Sequence, residues 1–230
     1  MPTATVEDYV KRIYALQAAA DADADANASD ASPVPMGVLA EALGVAPGTV
    51  TAMIKRLSER GLVDYAPYSG VRLSDDGRAL ALDVLRRHRL IECFLVEVIG
   101  LDWSEVHEEA ERLEHAVSDK LLAAIDRRLG HPVVDPHGDP IPNAAGEMPA
   151  SSTVSLDRGE PGARVRITRV LDQDEAFLRY VDELGLRPGA EVSVVRCDPL
   201  GQTIHLAGPD GRSVVLGRTA AGRLLGDVID

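Results

Sequence analysis

Cysteine is nearly absent: the 230 residues include two, Cys93 and Cys197, far apart and without a CxxC partner. There is no charged, apolar and small N-terminal signal pattern and no apolar run of about 18 residues, so a cytoplasmic chain without membrane contact is expected. Positive charge is also in short supply. With 24 Lys and Arg against 37 Asp and Glu, the formal charge is -13 and the pI near 4.9. Repulsion from a phosphate backbone excludes indiscriminate polyanion binding, so any contact with DNA must be local and conditional. Local charge does differ, with Lys55, Arg56, Arg60 and Arg72 grouped in one region. Glycine and proline, at 20 and 14, do not suggest wholesale disorder, and 45% apolar content over this length is enough for two compact domains.

What is present is histidine and carboxylate at helical spacing. In residues 105–119, EVHEEAERLEHAVSD, the side chains of His107, Glu111, Glu114 and His115 fall within an arc of roughly 100°. They can converge on one cation, and without one such a cluster is costly. Upstream, in RRHRLIECFLVEVIG, His88 and Glu92 stand four residues apart and share a helix face. Imidazole with carboxylate suits a first-row divalent ion. Either cluster alone fits a solvated acidic face equally well; two in consecutive helices favour metal. Cys93, one position round from Glu92, faces elsewhere and is expected as a buried small apolar side chain.

Thr5 with Asp8 reads as the start of a first helix, with Val6, Val10, Ile13 and Tyr14 as its buried stripe. Residues 18–33, AAADADADANASDASP, read as an extended tip or flexible connector. From Met36 a short helix, a turn at residues 44–46 and a second helix opened by Pro47 form a helix-turn-helix. Packing of Leu39, Ala42 and Leu43 on Val50, Ile54 and Leu57 turns the other face outward. The DNA-facing set is therefore Pro47, Gly48, Thr49, Thr51, Ala52 and Lys55, with Arg72 on the wing. Runs at 63–66 and 71–73, joined through Ser69 and Gly70, supply that wing. Hydroxyls and small side chains read bases only modestly, so backbone contacts and DNA shape must contribute, with Lys55 and Arg72 as phosphate partners.

Ser74 caps a long helix running toward Gly100. Another begins near Asp102, with Glu105 completing a capping box, and proceeds to Gly130, with a fresh cap at Ser118. Their apolar surface predicts a dimer interface, where Trp103 packs. Residues 131–158 read as a linker, leaving His131 and His137 in solvent. Strand-like pieces at 163–170, 191–196, 203–206 and 213–216 make a small barrel-like domain.

Taken in order, these segments resemble the iron- and manganese-dependent repressors of the diphtheria toxin repressor family. The likeness rests on VEDYVKRIYAL, VAPGTVTAMIKRLSERGLV, RRHRLIECFLVEVIGLDWSEVHEEAERLEHAVSD, DPHGDPIP and ELGLRPGAEV, and spans nearly the whole length. It implies a mostly α fold with a small β part: a winged helix-turn-helix at 1–74, a helical metal-binding and dimerisation domain at 75–141, a linker at 142–158, and a C-terminal SH3-like (FeoA-like) β-barrel at 159–230. It also implies an ancillary metal site of His88, Glu92 and His107, and a primary, activating site of Asp8, Glu111, Glu114 and His115. Asp8 by itself reads only as an N-terminal carboxylate favoured by the helix dipole.

Iron-responsive members carry methionine and cysteine where this chain has Asp8 and Glu111. The manganese-responsive branch carries carboxylates there, and oxygen donors suit Mn2+. Lys11 stands where small manganese-responsive members have a further carboxylate, which implies two separated sites rather than a close binuclear one. In three-domain members the SH3-like domain lends a carboxylate and an amide to the ancillary site. Asp172 and Glu175 keep that spacing; a one-residue shift would select Gln173 and Ala176, and an acidic turn between strands fits the segment equally well.

The expectation is a homodimeric repressor, not an enzyme, that takes two or more Mn2+ ions per subunit and no organic cofactor. It would bind a pseudo-palindromic double-stranded operator and control manganese uptake and homeostasis genes, with Fe2+ as the alternative activator. A carboxylate-histidine metalloenzyme predicts Glu-x-x-His repeats on paired helices. The chain has Glu111-x-x-x-His115 instead and no nucleophile motif. A metal-independent winged-helix repressor answering to an organic ligand leaves both clusters unused.

Overall fold

The computed structural model describes residues 3–23, 32–66, 68–149, 153–208 and 210–229. By internal contact the chain forms two units, Met1–Arg86 with Ala144–Gly146, and Arg87–Asn143 with Glu147–Asp230. No single helix among the described residues is long and apolar enough to cross a membrane.

In the first unit, α1 (Ala4–Asp23) begins earlier than the Thr5 reading, because the N–H groups of Val6 and Glu7 donate to the Thr3 carbonyl. It also runs into the alanine-rich stretch, since alanine is the best helix former. Within that expected tip, residues 24–31 lie outside the described residues. α2 (Met36–Leu43) ends on Gly44 at φ 64, a left-handed C-cap that glycine adopts freely. α3 (Pro47–Glu59) opens with Pro47 in its first turn. Val6, Tyr9 and Ile13 of α1 pack with Leu39, Val50, Ile54 and Leu57 into one core. Each such side chain removed from water contributes on the order of 1.5–3 kcal/mol. The wing pairs β1 (Val63–Ala66) with β2 (Gly70–Leu73), and Val34 bridges to Val71 outside it. Gly70 has φ 87, and a Cβ there would stand 2.6 Å from the Val34 carbonyl oxygen.

α4 (Asp75–Phe94) contributes its residues through Arg86 to the first unit and is capped by Ser74, whose hydroxyl accepts from the Gly77 N–H at 3.1 Å. A π-helical turn, Leu95–Ile99, follows. The helix expected from Asp102 to Gly130 starts later and, at the fresh cap expected at Ser118, divides into α5 (Val106–Leu113) and α6 (Asp119–Arg128). The Asp102 carboxylate accepts from the N–H and hydroxyl of Ser104, so it closes a local turn and not a helix start. Ser118 does cap α6, its hydroxyl accepting from the Leu121 N–H.

The C-terminal sheet of the second unit comprises β3 (Val154–Ser155), β4 (Arg164–Val170), β5 (Glu191–Asp198), β6 (Thr203–Ala207), β7 (Ser213–Gly217) and β8 (Leu224–Ile229). Its order is β3-β8-β4-β5-β6-β7 with every pairing antiparallel. Between β4 and β5, α7 (Glu175–Glu183) is capped by Asp174 and buries Leu178 and Val181. A short α8 (Arg218–Ala221) precedes β8. Trp103 is buried in the core of this sheet, with the Arg187 guanidinium 4.9 Å from its ring centre, and so does not wait for a dimer partner as the sequence reading expected.

Candidate metal centre

α4 places His88 and Glu92 one turn apart, both buried, while α5 brings the half-buried His107 and Glu111 toward them. Glu92 Oε1 lies 3.0 Å from His88 Nε2 and 3.3 Å from His107 Nδ1. On its other edge His88 presents Nδ1 to Glu114 Oε2 at 2.6 Å. His107 Nε2 is 3.7 Å from Glu111 Oε1, and His115 Nε2 is 3.5 Å from Glu114 Oε1. α5 stops at Leu113, yet Glu114 keeps φ -56 and ψ -31 and donates its N–H to the Ala110 carbonyl, so helical spacing still aims its side chain. Two three-residue groups result whose ligand atoms lie within 4.8 Å of one another, His88–Glu92–His107 and His88–Glu111–Glu114.

Burial alone would push the Glu92 carboxyl up. The charge and hydrogen bond of His88, the hydrogen bond of His107 and the charge of His137 outweigh it, and the group is held below the usual carboxylate range. An ionised, buried carboxylate among imidazoles is a ready cation ligand.

A third group, Glu92–Asp135–His137, is buried throughout. The sequence reading put His137 in solvent; its side chain is fully buried. The loop around it has no helical or strand periodicity, but it is folded by its own polar groups. Asp135 Oδ1 accepts from the N–H of His137 at 2.8 Å and of Asp139 at 2.9 Å. His137 Nε2 lies 2.8 Å from the Trp103 carbonyl oxygen, which can only accept, so Nε2 donates and, in the neutral ring, Nδ1 is the nitrogen with the lone pair. His137 Nδ1, Glu92 Oε2 and Asp135 Oδ2 are buried without a hydrogen-bond partner. Such orphans cost about 1–3 kcal/mol each unless something joins them. His137 Nδ1 lies 3.8 Å from Glu92 Oε2 and 4.0 Å from Asp135 Oδ1, while Asp135 Oδ2 stands 3.7 Å from Arg89 Nε; an imidazole nitrogen with carboxylate oxygens at such separations fits a divalent first-row cation. Burial above all, with Asp139 and Glu92 nearby, pushes the Asp135 carboxyl well above its ordinary value despite Arg89, so a cation binding there displaces a proton.

Asp8 lies half-buried on α1 in the first unit. Asp172 and Glu175 are not brought to these groups: Asp172 pairs with Arg223, and the exposed Glu175 pairs with Arg179 at 2.6 Å. The residue between them that does reach the metal region is Gln173, whose amide donates to Asp139 Oδ2 at 2.8 Å. On α3, Pro47, Gly48, Thr49, Ala52 and Lys55 are exposed, as is Arg72 on β2. Thr51 is half-buried, and its hydroxyl donates to the Pro47 carbonyl at 3.0 Å.

Residues 1–71 match the family described as iron dependent repressor, N-terminal DNA binding domain. Residues 74–143 match the iron dependent repressor metal binding and dimerisation domain, and 154–227 match the FeoA domain. The iron-dependent repressor IdeR of Mycobacterium tuberculosis is 35% identical over 182 residues, 74% of this chain and 79% of that one. A solved structure of a manganese-dependent transcriptional repressor in complex with manganese is 39% identical, with a TM-score of 0.84 over 97% of this chain and 100% of that one. The manganese regulator SloR is 28% identical, with a TM-score of 0.74 and all of both chains covered.

Proposed function

Because the chain belongs to the iron-dependent, or diphtheria toxin, repressor family of metal-dependent DNA-binding transcriptional repressors, we propose that this member answers to manganese and controls genes of metal-ion uptake and homeostasis. The observation that carries this reading is the donor set. Its members are imidazole nitrogens and carboxylate oxygens, with no sulfur among them. Cys93, next to Glu92, turns its thiol toward the Val134 carbonyl at 3.6 Å, and burial raises its pKa, so it stays a thiol. Mn2+ stands lowest in the divalent affinity series and favours such hard donors.

Two or more ions per subunit would be held, one by Asp8 with Glu111, Glu114 and His115, and others around Glu92 by His88 and His107 and by Asp135 and His137. A bound cation supplies positive charge that several carboxylates can share. Ligands drawn from α1 and from the second unit would then favour the disposition of α3 that fits an operator, and by linkage operator DNA would raise metal affinity. Glu92, ionised and buried, and the buried Glu114 would bind, as would Nδ1 of His137. Asp172 and Glu175 would have to leave their arginines to become ligands.

A homodimer would present two copies of α3 to the half-sites of a pseudo-palindromic operator, about one turn of DNA or a multiple apart. The apolar Val98, Ile99 and Leu101, exposed after α4, support such an interface. Lys55 and Arg72 would contact phosphates. The test is operator-fragment binding by metal-stripped protein titrated separately with Mn2+ and Fe2+. Tight binding with Mn2+, and none in chelator, is expected; equal affinity with and without chelator refutes the metal dependence, and a stronger response to Fe2+ refutes the metal choice.

A further inference from the structure

The loop that carries Asp135 and His137 is built as much on the C-terminal sheet as on the helices. The Val170 N–H at the end of β4 donates to the His137 carbonyl at 2.8 Å. Gly138 presses on the same strand so closely that a Cβ would stand 1.8 Å from the Thr168 carbonyl oxygen. Asp139, buried, is gripped from the sheet side by Arg169 through an ion pair and by Gln173 through its amide at 2.8 Å. From the helix side Arg89 donates to the Pro140 carbonyl and stands 3.7 Å from Asp139 Oδ1. Asp139 in turn closes the turn, its carbonyl accepting from the Asp135 N–H at 2.9 Å and its own N–H donating back to Asp135 Oδ1.

We propose that Arg169 and Gln173 are positioning residues for the buried Glu92–Asp135–His137 cation site: through Asp139 they hold the 135–139 turn so that Asp135 and His137 face Glu92. The inference rests on reading that group as a cation site. The sheet donates no ligand there, yet sets the affinity, because an unclamped turn must be ordered at the moment of binding. The coupling is reciprocal: a cation held by His137 stabilises the turn against β4 and slows opening at Val170.

The test uses the full chain and Mn2+ alone, titrated with free Mn2+ followed by electron paramagnetic resonance, and with Trp103 fluorescence as a local reporter 5.5 Å from the His137 ring. Gln173→Ala should weaken one class of site about tenfold and leave the others within twofold. Gln173→Glu, close in size but opposing Asp139 with like charge, should weaken it more, and Gln173→Lys, which keeps a donor, should restore it. Amide exchange at Val170 should slow on Mn2+ addition in the wild type and not in His137→Ala. If His137→Ala leaves the number of bound ions unchanged, the site reading fails. If it removes an ion while Gln173→Ala, Gln173→Glu and Arg169→Ala all bind within twofold of wild type, the site stands and the positioning role is overturned.

Discussion

Glu92→Gln addresses two ligand groups at once, because Oε1 faces His88 and His107 at 3.0 and 3.3 Å while Oε2 faces His137 at 3.8 Å. Without metal, the substitution loses charge pairing with the histidines but also removes a carboxylate from a buried site, and the two effects oppose. Replacing a whole buried ion pair is often near neutral, but removing one partner typically costs about 3–5 kcal/mol, and the amide keeps the shape and an accepting oxygen, so the metal-free protein should lose stability by up to that amount. With metal the outcome differs. A cation at 100 times its Kd adds about 2.7 kcal/mol to the folded state. For a chain of this size that is a rise of about 5–10 °C in melting temperature. If losing the carboxylate weakens binding about 100-fold, the same Mn2+ concentration adds only about 0.4 kcal/mol, or roughly 1–2 °C. Differential scanning calorimetry of both proteins, in chelator and in Mn2+, separates the cases. A variant that rises as far as wild type shows that Glu92 is not a ligand. A variant that melts far lower in chelator shows that the carboxylate serves the fold.

Asp8→Met combined with Glu111→Cys should shift activation of operator binding toward Fe2+, since thioether and thiolate prefer softer ions; unchanged Mn2+ to Fe2+ ratios would contradict the donor-hardness argument. Lys55→Ala and Arg72→Ala should each reduce the slope of log affinity against log salt by about one and weaken all sequences alike, as phosphate contacts do. Asp102 is held below the usual carboxylate range, first by the Ser104 hydroxyl and then by its N–H. A depressed carboxyl contributes stability above its unfolded pKa, about 3.9, and that contribution is lost as pH falls through the folded value. Ser104→Ala should therefore be less stable than wild type at neutral pH, with the difference shrinking toward pH 3 in denaturant titrations; a constant difference across that range would assign the loss to packing.

What could be read from the sequence follows the range of the interactions. His88 and Glu92 are one helical turn apart, so their spacing alone puts them together, and the same holds for His107 with Glu111. Glu114 reaches His88 although its helix ends one residue sooner, because its backbone stays helical through that position. The helix-turn-helix was legible for the same reason, with Gly44 and Pro47 marking the turn. α7 and β8 were not: α7 is nine residues long with two buried side chains, too short for a clear stripe, and β8 carries Gly226 where a Cβ would meet Val165 Cγ1 at 2.4 Å. That glycine answers a neighbouring strand far away in sequence, which no local pattern reveals.

His137 is the instructive error. Its segment, DPHGDPIP, holds two aspartates and a histidine around a glycine. Prolines and the absence of periodicity argued for a linker, and that inference treats order as something only helices and strands confer. Here order comes from Asp135 accepting two backbone N–H groups, and from β4 and Trp103, whose carbonyl leaves His137 Nδ1 bare. The register question over Asp172 and Glu175 has the same root. Spacing alone could not choose between a carboxylate that reaches a metal and one that pairs with an arginine, because Arg223 and Arg179 are not part of the pattern being matched. Donors that share a helix turn can be found by counting; donors that a loop brings to a helix require knowing which partners each has already taken, and His137 Nδ1 and Glu92 Oε2, 3.8 Å apart and without a hydrogen-bond partner, are the residue of that calculation.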